Sequence, residues 1–309
     1  MDLSIVVVSY NVERLLIQCL ASACDSLSDG ALAYEIVVVD NASSDGSVRA
    51  VRTRFPEARL IVNDSNRGFA AGNNQALREA RGRLVLLLNP DTEPRSAAIR
   101  TLAAFLDEHP RIAMAGPRLV YGDGSFQHSA FRFPTLAQTF LDLFPLHHRL
   151  IDSRCNGRYP RSWYQSGKPF EVDHPLGACM MVRREVLDGV GMLDEGFFMY
   201  CEEIDWALRI RQAGWAISCV PEAVVVHHVA QSTQQFRDEM FVALWRSRFR
   251  LFAKHYGRAY NWAARRIVQL GLRGKTRQAR REGQAGTLDE GELRSRLAAY
   301  RRVRELSNG

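Results

Sequence analysis

The sequence predicts an α/β protein built around a mostly parallel, doubly wound sheet with helices on both of its faces. Three observations carry this expectation. Short runs of β-branched and apolar residues alternate with segments of helical period through the first third of the chain, as strands buried on both faces and joined by crossover helices do. Each run ends in polar residues, at the carboxyl edge where such sheets hold their ligands. At 309 residues, 46% hydrophobic and 24% charged, the chain suits one large α/β domain with an appendage, or two unequal domains.

Leu3 to Val8 and Ile36 to Val39 are the first two strands, with a helix carrying Val12, Leu15, Leu16, Cys19 and Leu20 between them. Arg59 to Asn63 fits a third strand, Ala70 to Arg81 a helix, and Leu84 to Leu88 a fourth strand. A helix over Ala97 to Glu108 leads to a strand near Ile112 to Pro117. Gly122-Asp123-Gly124 is a turn signal between β-prone runs, so Tyr121 to Pro134 reads as a hairpin. Phe144 to Lys168 is rich in Arg, Tyr, His and Pro without a period, and reads as a long loop over the site. Asp173 to Val182 is a strand, Glu202 to Ala213 a helix stopped by Gly214, and Ala216 to Val220 and Ala223 to His227 are short strands. The expected division is a body over residues 1–235 and a basic helical extension over 236–309.

The charge is uneven. From Phe236 onward there are 18 Lys/Arg against 7 Asp/Glu, so the net +7 of the chain comes from a basic extension on a slightly acidic body. Such an extension meets a membrane surface or a nucleic acid, or is simply a solvated face. Phe241, Leu244, Trp245, Phe249, Phe252 and Tyr256 recur at helical spacing beside a row of Arg246, Arg250 and Lys254. That helix either lies on an anionic membrane or packs its aromatic stripe on the body. The six cysteines form no CxxC pair and no signal peptide precedes the first strand, which predicts buried thiols in a reducing cytoplasm. No stretch reaches the roughly 20 apolar residues of a membrane span, so contact with a membrane would be peripheral, on its inner face.

The strand ends carry the candidate chemistry. The first runs into Ser9-Tyr10-Asn11, the second into Asp40-Asn41-Ala42-Ser43-Ser44-Asp45-Gly46, the third into Asn63 to Gly68, and the fourth into Asn89-Pro90-Asp91. Asp40 closes a buried strand, where an acid accepts hydrogen bonds from a nucleoside or forms an Asx turn. Asp91 offers an oxygen ligand to a hard cation, Mg²⁺ or Mn²⁺, which needs only one or two carboxylates besides substrate phosphates and water; the alternative is a Pro-Asp turn. Residues 194 to 206 hold five carboxylates among apolar neighbours. The helix dipole explains some of them, and one is expected to take a proton from a hydroxyl. His227-His228 ends a β-branched run and either offers an imidazole to a metal or is merely a packed polar residue at a strand end. Gly177-Ala178-Cys179 lets a ligand approach the backbone.

Taken in order, Val7-Val8-Ser9-Tyr10-Asn11, Val37 to Gly46, Asn66-Arg67-Gly68-Phe69-Ala70-Ala71-Gly72-Asn73, Asn89-Pro90-Asp91, Glu202-Glu203 and His227 resemble the family-two glycosyltransferases of the GT-A fold, in particular the rhamnosyltransferase-like branch. The resemblance runs from Leu3 to about Val229. It implies a Rossmann-like catalytic domain, with Ser9, Tyr10, Asn11, Asp40, Asn66, Gly68, Asn73 and Asn89 on the nucleotide. Asp91 matches the last acid of an Asp-x-Asp metal motif whose first acid is Asn89 here. Glu203 matches the catalytic base, and His227 the later metal ligand, with His228 one residue away. Gly177, Ala178, Glu202 and Asp205 would border the donor sugar and acceptor.

The implied reaction is inverting, metal-dependent transfer of a sugar to a saccharide hydroxyl in cell-envelope polysaccharide synthesis. The resemblance favours dTDP-L-rhamnose as donor and a saccharide or polyprenyl-diphosphate-linked acceptor, at an anionic membrane surface and without nucleic acid. Two readings from other classes stand beside it. One is a nucleic-acid-binding protein using the basic extension; the other is a nucleotidyltransferase, against which no Gly-rich, Lys-bearing phosphate loop follows the first strand.

Overall fold

The computed structural model describes residues 1–144, 147–228 and 237–308. Strand β1 (Leu3–Ser9) lies between β2 (Tyr34–Asp40) and β4 (Leu84–Leu88), both parallel to it, and β2 pairs in parallel with β3 (Arg59–Val62). Helices α1 (Glu13–Asp25), α2 (Ser47–Arg54) and α3 (Phe69–Glu79) make the crossovers. The sheet has a core on each face, because alternate strand residues point to opposite sides. Leu3, Ile5, Val7, Val38 and Leu86 pack with α1 and with α4 (Ala98–Glu108), while Val6, Val37, Val39, Val85 and Leu87 face α3 and the helix α9 (Glu202–Gln212).

Beyond β4 the sheet changes character. Its order is β3-β2-β1-β4-β11-β6-β12-β5, with β11 (Cys179–Arg183) antiparallel to both β4 and β6 (Ile112–Val120). Strand β12 (Ala216–His227) is parallel to β6, and the three-residue β5 (Thr92–Pro94) closes the edge antiparallel to β12. The two short strands expected over 216–227 are therefore one strand, irregular between Val220 and Val224. The single strand expected over 173–182 is instead two. These are β10 (His174–Pro175), paired with β8 (Ala130–Phe131), and β11 in the main sheet. The break leaves Gly177 and Ala178 at the sheet's edge, where β4 ends. The hairpin at Gly122-Asp123-Gly124 forms between β6 and β7 (Phe126–Gln127), with Gly124 at φ +82.

The expected loop over 144–168 contains helix α6 (His148–Ile151), a short turn of 3₁₀ helix and α7 (Arg161–Gln165). Aromatic rings fix its last part: Tyr164 stacks edge-on against Phe126 and against Phe170 of β9 (Phe170–Glu171), and Arg161 lies over the Phe126 ring. Helix α8 (Arg184–Val190) follows β11. Contacts of this kind carry no period, which is why they do not show in the sequence.

The chain divides into two compact units. The first holds Met1–Phe133, Tyr159–Phe198 and Glu202–Ser232, and contains the sheet. The second holds Pro134–Arg158, Met199–Cys201 and Thr233–Gly309. The boundary expected after residue 235 lies outside the described residues. The second unit is helical: α5 (Leu136–Leu143), α6, α10 (Arg237–His255), α11 (Arg258–Gln284) and α12 (Glu290–Leu306). Thr135 and Gln138 form a capping box at the start of α5, and Gly271 of α11 leaves room for Leu143. The aromatic stripe of α10 is inside this unit, with Trp245 1% and Phe252 1% exposed and Phe241 edge-on to Tyr300 of α12. Trp245, Phe249 and Phe252 are thus spent in the interior of the unit, with Phe241, Leu244 and Tyr256 half-buried beside them. Among the described residues no helix is long and apolar enough to cross one.

Candidate functional site

The carboxyl ends of β1, β2 and β4 converge because the three strands run parallel and in register, with Ser9 opposite Asp40. Asp40 forms the expected Asx turn and leaves one oxygen over. Its Oδ2 accepts from the Ser43 N–H at 2.8 Å, making the Asx turn, while Oδ1 is buried without a hydrogen-bond partner. The Ser9 hydroxyl is likewise buried and unpartnered. Asn11, at φ 53, holds the loop after β2: its Oδ1 accepts from the Ser44 N–H at 2.7 Å, and its own N–H donates to Ser43 Oγ. Tyr10 stands at the surface. Unpaired polar atoms in a dry place are rare in folded proteins, and two of them on adjacent strand ends are open to partners from outside the chain.

The third strand end is tied in by amides. Asn63 donates to Asn41 Oδ1 at 2.9 Å and exchanges bonds with Gln75 of α3, and Asn41 donates to the Gly68 carbonyl. Asn66 Oδ1 accepts from Gly68 N–H, and Asn73 Nδ2 donates to the Phe69 carbonyl. Asn66, Gly68 and Asn73 thus shape the turn into α3. Gly68 has φ +83, and a β-carbon there would lie 2.3 Å from the Phe198 carbonyl oxygen, which accepts from Phe69 N–H at 2.7 Å. Only glycine permits that approach. It fastens the segment that leads to α9.

After β4 the backbone N–H of Asn89 donates to the Ala178 carbonyl at 2.9 Å, so the Gly177-Ala178 break sits beside the Asn89-Pro90-Asp91 turn. The Asn89 Oδ1 is buried and unpartnered. Asp91 is 7% exposed, and its Oδ1 lies 3.6 Å from His227 Nε2. His228 turns away: its Nε2 is 2.6 Å from Glu93 Oε1, and its N–H donates to the Asp91 carbonyl. Burial pushes His227 below the ordinary histidine range; Asp91 opposes the shift and His228 adds to it. A neutral imidazole has a lone pair to give. Gln127, which sequence reasoning overlooked, places its amide nitrogen 3.0 Å from His227 Nδ1, and its Oε1 is buried without a partner. Its only signal was its place on the returning strand of the Gly122 hairpin.

Glu202 and Glu203 open α9, after Tyr200 and Cys201 at φ 69 and 67. Two consecutive left-handed residues without a glycine cost about 1–2 kcal/mol each and force an abrupt helix start. The two glutamates then differ. Glu202 is buried, with Oε2 unpartnered, and burial followed by the charge of Glu203 raises it well above the ordinary carboxylate range. Glu203 is less buried and faces Gly177, where an added β-carbon would lie 3.6 Å from its Cγ. Asp205, expected to border the sugar, is instead fully buried and bonded at 2.9 Å to Arg209, whose guanidinium also donates to the carbonyls of Val190 and Met192. It anchors α9, as its i,i+4 spacing to Arg209 indicates.

The family model for glycosyl transferase family 2 matches residues 4–191, which spans every strand end described above except the end of β12. An N-acetylglucosaminyl-diphospho-decaprenol L-rhamnosyltransferase of Mycobacterium tuberculosis is 30% identical over 64% of this chain and 67% of its own length. The rhamnosyltransferase WbbL of Escherichia coli (strain K12) is 27% identical over 72% of this chain and 83% of its own. A mannosyltransferase from Pyrobaculum calidifontis, solved with GDP-Man and Mn²⁺, shares the GT-A fold at TM-score 0.56 and 17% identity, over 98% of this chain and 84% of that one. The family match speaks against a nucleotidyltransferase body and does not reach the basic extension. With the match covering more than half of its length, the chain belongs to glycosyl transferase family 2, and its relatives include rhamnosyltransferases.

Proposed function

We propose that this chain transfers L-rhamnose from dTDP-L-rhamnose, with inversion, to a hydroxyl of a saccharide carried on a polyprenyl diphosphate, in cell-envelope polysaccharide synthesis. The observation that carries the reading is the row of buried, unpartnered polar atoms on Ser9, Asp40 and Asn89, continuous through Ala178 and Gly177 with Glu203. Such a row fits a nucleoside at one end and a sugar at the other. The names of the mycobacterial and E. coli relatives support rhamnose and, for the former, the lipid-linked acceptor.

Asp91 and His227 fit a divalent cation. Their facing atoms are 3.6 Å apart, too far for a hydrogen bond and close enough for both to reach one ion. Among the described residues no third acid, histidine or cysteine completes a protein-only site, which suits an ion that also takes diphosphate oxygens. A bound Mg²⁺ or Mn²⁺ supplies neutralisation of the charge that grows on the departing nucleoside diphosphate. Turning the Gln127 amide over brings its Oε1 to His227 Nδ1–H, satisfying the orphaned oxygen and leaving the Nε2 lone pair towards Asp91.

Asp40 and Ser9 orient the base with their unpartnered oxygens, and Tyr10 and Asn11 border the nucleoside. Glu203 takes the acceptor's hydroxyl proton as that oxygen bonds to the anomeric carbon and the bond to the diphosphate oxygen breaks on the opposite face. Glu202 is the less suited of the two, since it is buried away from the space in front of Gly177 and its burial raises it well above the ordinary carboxylate range. Gly177 keeps open the space in front of Glu203. The chain works at the inner face of the cytoplasmic membrane, where a cytosolic nucleotide sugar and a lipid-borne acceptor meet.

The test is calorimetry with a panel of nucleotide sugars, with and without Mn²⁺ or Mg²⁺, on wild type and Asp91→Ala. Metal-dependent binding of dTDP-L-rhamnose alone, lost in the variant, is the expected result. Selective binding of another donor would replace the sugar, and equal binding without metal would remove the cation from the reading.

A further inference from the structure

Helix α11 has two faces of opposite character. Ala264, Val268, Gly271, Leu272 and Ala279 are buried inside the second unit. On the other side stand Trp262, 64% exposed, and Leu270, 55% exposed, the two most exposed large apolar side chains of the described residues apart from Met1. Arg266, Arg273, Arg277, Arg280 and Arg281 are exposed as well. At 3.6 residues per turn these seven positions fall within about 100° of arc and extend over roughly 30 Å of helix. The only acid in α11 is Glu282, and among the described residues none of the five arginines makes an ion pair. Arg266 lies over the Trp262 ring, 5.8 Å from its centroid.

We infer that this face of α11 is a docking surface for the headgroup layer of an anionic bilayer. The inference rests on the reading that the acceptor is membrane-borne, and assigns that contact to α11 in place of the aromatic stripe of α10. Charge complementarity commits the occupant. A row of five guanidinium groups without ion pairs fits a sheet of phosphates, and Trp262 and Leu270 in the same row are what an interfacial helix sinks below them. A nucleic acid would satisfy the arginines equally well but gives an exposed Leu nothing to bury against. The roughly 30 Å row is matched by a plane rather than by a groove or a small ligand.

The test uses the full chain and co-sedimentation with phosphatidylcholine vesicles, with and without phosphatidylglycerol. The variants are Trp262→Ala/Leu270→Ala, Arg273→Glu/Arg277→Glu and, as a control of equal charge on α12, Arg301→Glu/Arg302→Glu; circular dichroism checks that each is folded. Wild type should bind only the vesicles containing phosphatidylglycerol, and more weakly as salt rises. Both α11 variants should bind at least about tenfold more weakly, with each basic residue near the surface contributing about fivefold, and the α12 control should bind like wild type. Wild-type binding that the α11 variants retain would overturn this face while leaving the membrane reading intact. Absence of vesicle binding by wild type would overturn both, and salt-dependent binding to duplex DNA in its place would give the face to nucleic acid. Transfer to a water-soluble acceptor should be unchanged in the α11 variants, which separates this contact from the chemistry of the site.

Discussion

The two units handle buried polar groups in opposite ways. In the first, buried oxygens of Ser9, Asp40, Asn89, Gln127 and Glu202 lack partners, and all belong to strand ends, to the hairpin beside them or to the start of α9. In the second unit, among the described residues, no buried side-chain polar atom is left over: Ser247 Oγ donates to the Met199 carbonyl at 2.7 Å, and the hydroxyls of Tyr256 and Tyr260 both reach the Pro134 carbonyl. On the proposed function, the first unit keeps hydrogen-bonding capacity for a ligand, whereas the second leaves none of its described buried side chains unpaired. Substitutions should therefore separate function from stability according to the unit they fall in.

The largest expected effect is on chemistry without stability. Glu203→Gln removes the proton acceptor but neither the row of donor-binding atoms nor a packed side chain, so turnover should fall by about 10²–10⁴-fold while donor affinity and Tm stay near wild type. Steady-state kinetics beside a donor titration checks it. A parallel loss of donor affinity would mean that Glu203 belongs to the binding row. Trp245→Ala is the converse. Removing a side chain 1% exposed, ringed by Phe241 and Phe249, should cost about 3–5 kcal/mol by denaturant unfolding, with donor binding kept in the molecules that remain folded. If the two readouts moved together in both variants, the contrast between the units would fail.

The contrast itself was not legible in the sequence, although much of the first unit's sheet was. The four parallel strands were readable because strands buried on both faces leave unbroken apolar runs, and their polar ends followed from that. The insertion of β11 between β4 and β6 was not readable, since antiparallel pairing across 91 residues, as between Leu88 and Cys179, leaves no local pattern. The aromatic period of α10 correctly indicated a helix and could not say what its stripe meets, because an interior and a bilayer select the same residues. In the site, Asp91 and His227 stood at strand ends and were visible. Gln127, one amide on a short strand, was not. Asp205 looked like its acidic neighbours until Arg209 four residues on is taken as its partner.

Gln127 sharpens the comparison at its middle range. Its oxygen is idle while its nitrogen faces His227, so it should matter only when His227 must present Nε2 to a cation. Gln127→Leu should weaken Mn²⁺ binding in the presence of nucleotide by about 10–100-fold, read by electron paramagnetic resonance of free Mn²⁺, with little change in unfolding. Unaltered Mn²⁺ affinity would reduce Gln127 to packing.

The smallest effect, and the one that tests the reserve idea without any ligand, is at Glu202. Its raised proton affinity means that the folded chain holds a proton which the unfolded chain releases once pH passes the ordinary glutamate value of 4.5. The folded state then binds more protons than the unfolded one, so this group's contribution to stability is whole below that value and falls as pH rises through the window up to its own raised pKa. Glu202→Gln keeps the shape and abolishes the ionisation. Thermal melts of the two proteins should coincide near pH 4 and separate towards neutrality, the variant melting higher, by on the order of a few degrees. Its turnover should stay within about tenfold of wild type, far from the Glu203→Gln loss, because a neutral amide keeps the shape of the carboxyl and burial already disfavours its charged form. Melts that stay parallel across pH would mean that Glu202 is ionised in place, and the division of labour between the two adjacent glutamates would have to be redrawn.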